Sequence, residues 1–151
     1  MKSLSSASDL AAIRARIALL RPTDIHLWGS MSVQQMVCHL SDSFACPLGE
    51  RIVTAIKSPP IPVHIFKWLA LYFPRKWPPG VPTPPEIDQR IGGTPPGDFD
   101  ADRTALLDRL DHFVQAGGLY APHPMFGVMA HPEWMRWGYL HTDHHLRQFG
   151  R

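Results

Sequence analysis

SVQQMVCH, residues 32–39, and HTDHHLRQ, residues 141–148, are the two stretches from which the rest of the chain can be read. In the first, Ser32 and Gln35 have the three-residue spacing of a capping box, in which the serine oxygen takes a first-turn N–H and the glutamine reaches back to the cap. The spacing predicts a helix from Ser32 through Met36, His39, Leu40 and Ser43 toward Ile56. Pro47 should kink it or end it early, because proline has no N–H and clashes with the preceding turn. In the second stretch, His141 and His145 are four apart and share one face of a helix. That helix should run from about Ala130 to the C-terminus through Trp134, Trp137 and Phe149.

Two more helices follow from apolar spacing. Leu10, Ile13, Ile17 and Leu20 draw one stripe, with Ser8 as the expected N-cap and Pro22 beyond the end. Leu106, Leu107, Leu110, Phe113 and Val114 draw another, with Asp100 as the expected cap and Gly117 and Gly118 as the stop. HPMFG, from His123, reads as a turn. Between the second and third of these four helices, Lys57 to Phe99 holds eleven of the sixteen prolines. That density excludes regular structure over most of the segment and leaves a short helix from Val63 to Phe73. Its aromatics, Phe66, Trp68, Tyr72, Phe73 and Trp77, are unlike a disordered linker, so an ordered loop over the core is expected. The result is an all-α chain, one domain over 1–151, arranged as an antiparallel four-helix bundle with one long crossover loop. If part of those aromatics stays exposed, a homodimer is the expected way to cover them.

A chain of 151 residues can bury enough surface to fold without staples. Cys38 and Cys46, eight apart on one helix, stand roughly 12 Å from each other and cannot bridge. Reduced thiols, no apolar leader and no apolar run long enough to span a bilayer point to a cytoplasmic protein with no membrane partner. A net charge of +2 with no Lys/Arg block leaves no footprint for nucleic acid.

The nine histidines are the main departure in chemistry. His141 and His145 can reach one ion, and His144, three from His141, stays open by spacing alone. Satisfied interior or surface histidines are the bland alternative. His39 shifts the balance: it lies two turns into a helix of apolar neighbours, where a buried imidazole needs partners. If the second and last helices lie side by side, His39, His141 and His145 converge in the core.

The pattern Ser-x-x-Gln-x-x-x-His, followed far downstream by His-x-x-His-His-x-x-Gln, resembles the DinB-like superfamily of four-helix-bundle metalloproteins, which implies an up-down-down-up bundle. The segments LWGSMSVQQM, WPPGVPTPPEID and HPMFG and the ending HHLRQFG are similar to a narrower DinB-related family of unknown function. The resemblance implies metal ligands at His39, His141 and His145, and a position at His144 that is not usually a ligand.

Three neutral imidazoles leave an ion with open positions, the arrangement of a reactive site. Such a site can lower the pKa of a bound water to about 7 or take a thiolate. The resemblance implies a metal-dependent transferase that uses a thiol, or a hydrolase, with a small-molecule substrate. A non-catalytic metal-binding or sensor protein is the second reading, and a helical interaction module with no ligand the third. Imidazole suits several divalent metals, so spacing does not choose among them; zinc or nickel is expected first, with iron or manganese as further candidates. Asp42, one turn past His39, is the nearest carboxylate and a candidate base or partner of a ligand, against the alternative of a solvated helix acid. Gln148 is placed to bond an imidazole, Cys38 to be a small buried residue, and His123 and His131 to stand near a pocket mouth.

Overall fold

The computed structural model describes residues 1–56, 60–73 and 76–151. Lys57, Ser58, Pro59, Pro74 and Arg75, all within the expected Pro-rich cover, lie outside the described residues. Among those described the chain is all-helical, with five α-helices and no strand: α1 (Ala7–Ala18), α2 (Val33–Ala45), α3 (Val63–Tyr72), α4 (Phe99–Gln115) and α5 (His131–Gln148). A short 3-10 turn, Pro85–Ile87, lies between α3 and α4.

The Ser32 cap forms as its spacing requires. Gln35 N–H donates to Ser32 Oγ at 3.1 Å, and Gln35 Oε1 accepts from Ser32 N–H at 2.9 Å. α2 ends at Ala45, well short of Ile56, two residues before Pro47, which cannot donate to the next helical bond. α1 begins two residues earlier than Ser8 would set it: Asp9 N–H donates to Ser6 Oγ. The cause lies upstream, where Leu4 is buried and its N–H bonds Met135 O at 3.1 Å, so the chain is already drawn into the core. α4 likewise starts from Asp98 rather than Asp100, with Ala101 N–H on Asp98 Oδ1 at 2.9 Å, because buried Phe99 opens the helix. Gly117 and Gly118 follow its end with φ of 66° and 102°, where a side chain would be strained. α5 starts at Ala130, as expected; with no side-chain cap there, Glu133 Oε2 accepts the Ala130 N–H at 2.8 Å.

α2 packs on α4, α4 on α1, α1 on α5 and α5 on α2, and α3 lies against α5. Ile13, Ile17, Met36, Phe44, Leu110, Phe113 and Trp134 fill the core. Gly138, mid-α5, allows a close approach to that core: a Cβ at this position would meet Leu4 Cδ1 at 2.7 Å and Phe113 Cε1 at 3.0 Å. Of the five aromatics between Lys57 and Lys76 or at Trp77, Phe66, Tyr72 and Trp77 pack against the core, and Trp77 Nε1–H donates to Ala70 O at 2.7 Å. Trp68 and Phe73 do not; they are 56% and 45% exposed. No helix among the described residues is long and apolar enough to cross a membrane.

Candidate metal centre

Seven residues past its cap, α2 presents His39 to the two histidines that α5 carries four apart. One nitrogen from each of His39, His141 and His145 lies within 4.8 Å of the others. The ring centroids stand 4.8 Å (His39–His145), 4.9 Å (His141–His145) and 5.4 Å (His39–His141) apart. Three imidazoles gathered this closely in the interior have no hydrogen-bonding reason to face one another, since none of these ring pairs forms a hydrogen bond among the described residues.

The hydrogen bonds on the far sides of the rings assign two of the tautomers. His39 Nδ1 lies 2.9 Å from Ile87 O, and a carbonyl only accepts, so Nδ1 carries the hydrogen and Nε2 keeps a free lone pair. His145 Nδ1 lies 3.1 Å from Gln148 Oε1, while Gln148 Nε2–H donates to Trp28 O at 2.8 Å. That second bond orients the amide, so Gln148 accepts from His145 Nδ1–H and again Nε2 is left free. A ligating histidine is ordinarily held in this way, by an acceptor on its other nitrogen. His141 Nδ1 is buried with no partner among the described residues, an orphan that a bound cation would satisfy. Gly29 makes the Gln148 arrangement fit: its φ is +81° and a Cβ there would come within 2.6 Å of Gln148 Nε2.

Burial pushes the pKa of His39 down, and pushes His141 and His145 well down, with repulsion from neighbouring imidazoles adding to the effect at the latter two. All three are therefore neutral at neutral pH, the form that coordinates. The donor set fits a divalent transition metal: three neutral imidazoles, two with Nε2 free and Nδ1 held, and one with an unpartnered buried nitrogen.

His144 is not in this group; it lies beside Trp28 and Trp77, with ring centroids 6.0 and 6.4 Å away, and its Nδ1 also lacks a partner among the described residues. Asp42 is fully buried yet not brought to the histidine nitrogens. Its oxygens accept from Gln89 Nε2 (2.9 Å), Thr94 N (2.8 Å) and Thr94 Oγ1 (2.7 Å), and Arg51 pairs with it at 3.2 Å. It ties Gln89 and Thr94, which follow the 3-10 turn, to α2, and the turn itself ends at Ile87, whose carbonyl holds His39. Cys38 is buried, with Sγ 3.6 Å from Asp102 Oδ2, and burial first and that carboxylate second push its thiol up to about 12. It is no thiolate.

The three histidines open onto a cavity of about 800 Å³, walled by apolar side chains of α3, α5, the Pro-rich segment and the 123–127 turn. Phe66, Leu69, Trp77, Met125, Phe126 and Trp137 are among them. His123, whose position at the entry to the last helix suggested a place near a pocket mouth, lines it too. Its ring stacks on Phe126 at 4.5 Å and meets Trp137 edge-on at 5.4 Å. Its Nδ1 accepts from Met125 N–H (3.1 Å) and Phe126 N–H (3.2 Å), and burial pushes its pKa down to about 3. His131, by contrast, stacks on Tyr120.

The whole chain but its first residue, 2–151, matches the family described as Protein of unknown function (DUF1569). The chain belongs to this DUF1569 family. Neither a curated protein nor a solved structure matches it. In this DUF1569 member the capped α2 and the histidine-bearing α5 are the elements that build the cluster.

Proposed function

We propose that this DUF1569 protein binds one divalent transition metal, zinc or nickel ahead of iron or manganese, on His39, His141 and His145. We read it as a metal-dependent transferase that uses a thiol, or a hydrolase, acting on a small molecule. The proposal includes a single domain over 1–151, a DinB-like up-down-down-up four-helix bundle and a cytoplasmic location, with neither nucleic acid nor membrane as partner. The single observation that carries it is the convergence of three neutral imidazole nitrogens within 4.8 Å beside a cavity.

When bound, the ion supplies a Lewis acid with open positions, able to activate water or to take a thiolate. The chain's own residues do the rest. Ile87 O and the Gln148 amide hold His39 and His145 in the tautomer that leaves Nε2 free. The apolar wall, Trp77 and Trp137 included, excludes water from around the reacting groups and strengthens electrostatic interaction there.

Elemental analysis of purified variants tests the ligand set. His39→Ala, His141→Ala and His145→Ala should each remove most of the metal, and His144→Ala little. Loss of metal from H144A with retention by H145A would refute the assignment. Cobalt-substituted protein tests the open position: an added thiol should change its visible spectrum without releasing the ion. An unresponsive spectrum, or unfolding on chelation, would make the site structural and remove the case for an enzyme.

A further inference from the structure

The hydrogen on His123 is placed by its neighbours. Nδ1 already accepts from two backbone N–H groups, Met125 and Phe126, so the imidazole hydrogen must be on Nε2. No hydrogen bond from that N–H is found among the described residues, and the residue lines the same cavity as the three histidines, with the Trp137 ring between it and His141. A fixed, neutral donor beside an apolar space awaits an acceptor from a ligand.

Charge narrows the ligand further. Among the described residues lining the cavity the formal charges are Asp88, Arg90 and Lys76. Asp88 is paired with Arg90, through Oδ2 at 2.9 Å and Oδ1 at 3.1 Å, so the two together add no net charge. A divalent ion on three neutral imidazoles would then stand with Lys76 and with no carboxylate of the lining that is not already paired with an arginine, in largely apolar surroundings where an unbalanced charge is costly. An anionic ligand supplies the balance. Its remaining body must suit the aromatic and aliphatic wall.

We propose that the cavity takes a small apolar carboxylate, and that His123 binds it by donating Nε2–H to a carboxylate oxygen. The choice of an anion rests on the metal of the proposed function; the donor role of His123 rests on its own hydrogen bonds.

Octanoate is the probe, titrated into zinc-loaded and zinc-free protein while the His123 Nε2–H resonance is followed by long-range ¹H–¹⁵N correlation. Octanoate should move that resonance downfield, and octylammonium, with no acceptor, should bind much more weakly. His123→Asn keeps an oxygen for the two turn N–H groups and, being shorter, leaves no donor at the position of Nε2. It should weaken octanoate about ten-fold, the range of a hydrogen bond to a charged group, and leave the zinc Kd unchanged. An unmoved resonance on saturation, equal binding by the ammonium, or an unchanged octanoate Kd in H123N would each overturn the proposal. Octanethiol bound tightly with octanoate excluded would do so as well. Failure to bind zinc with the octanoate shift retained would overturn the metal reading and leave His123 standing as the carboxylate donor; zinc bound with no shift would overturn this inference alone.

Discussion

Gln148 offers the most direct test of how the centre is held. Its amide is buried and makes two bonds, accepting from His145 Nδ1–H at 3.1 Å and donating to Trp28 O at 2.8 Å. Gln148→Leu keeps most of the volume and removes both. The imidazole then loses the acceptor that fixes its tautomer and ring angle, a change that typically costs 10–100-fold in metal affinity, or about 1.4–2.7 kcal/mol. Folding should suffer separately, because Trp28 O and His145 Nδ1–H are left without partners at about 1–3 kcal/mol each. Competition against a chromogenic zinc chelator at pH 7.5 reads the first effect, and urea unfolding of the metal-free protein the second. Gln148→Glu separates them: a carboxylate still accepts from His145 but repels Trp28 O, so zinc affinity should stay near wild type while stability falls. Gly29→Ala should act in the same direction as Gln148→Leu, since its Cβ would press within 2.6 Å of the Gln148 amide nitrogen. If folded Q148L binds zinc within two-fold of wild type, the amide does not hold the ligand and the tautomer argument for His145 is wrong.

Three further outcomes are expected. In the metal-free protein His39, His123, His141 and His145 all have native pKa values below 6.5, so the unfolded chain binds more protons under acid. Their contribution is complete above about pH 6.5 and is lost as pH falls below it, by up to about 1.4 kcal/mol per pH unit for each group. The urea midpoint should therefore be flat above pH 7 and drop steeply toward pH 5; equal midpoints at pH 7 and 5 would contradict the buried neutral cluster. Gly138→Ala should destabilise by about 1–3 kcal/mol despite alanine's better helix propensity, because its Cβ has no room beside Leu4 and Phe113; a raised thermal midpoint would show the packing there to be looser than described. Asp42→Ala should cost about 1–3 kcal/mol by leaving the Thr94 N–H and the Gln89 amide without their acceptor, Arg51 keeping its bonds to Glu86 O, Gly92 O and Thr94 Oγ1, while leaving the metal stoichiometry at its wild-type value; a stably folded D42A that no longer holds metal would return Asp42 to the site.

Local chemistry was legible in the sequence by itself. The Ser32–Gln35 box, the Gly117–Gly118 stop, the start of α5 at Ala130 and the helical face shared by His141 and His145 are all settled by residues within a turn or two of each other. Such interactions are encoded by spacing alone. The caps of α1 and α4 were misplaced by two residues each, and for one reason: buried Leu4 and buried Phe99 set where those helices start, and burial is decided by the partners across the core. The meeting of His39 with the α5 pair could be expected from pattern but is made by the packing of α2 on α5. What no local reading supplies is the far side of each imidazole. Ile87 lies 48 positions from His39 and Trp28 lies 120 from Gln148, and these two carbonyls, with the turn around His123, determine which nitrogen carries each proton. The sequence determined the helices and the residues that could ligate; the tertiary structure decided the tautomers and the cavity they face, because a hydrogen bond depends on distance in space, which spacing along the chain does not fix once the backbone turns between elements.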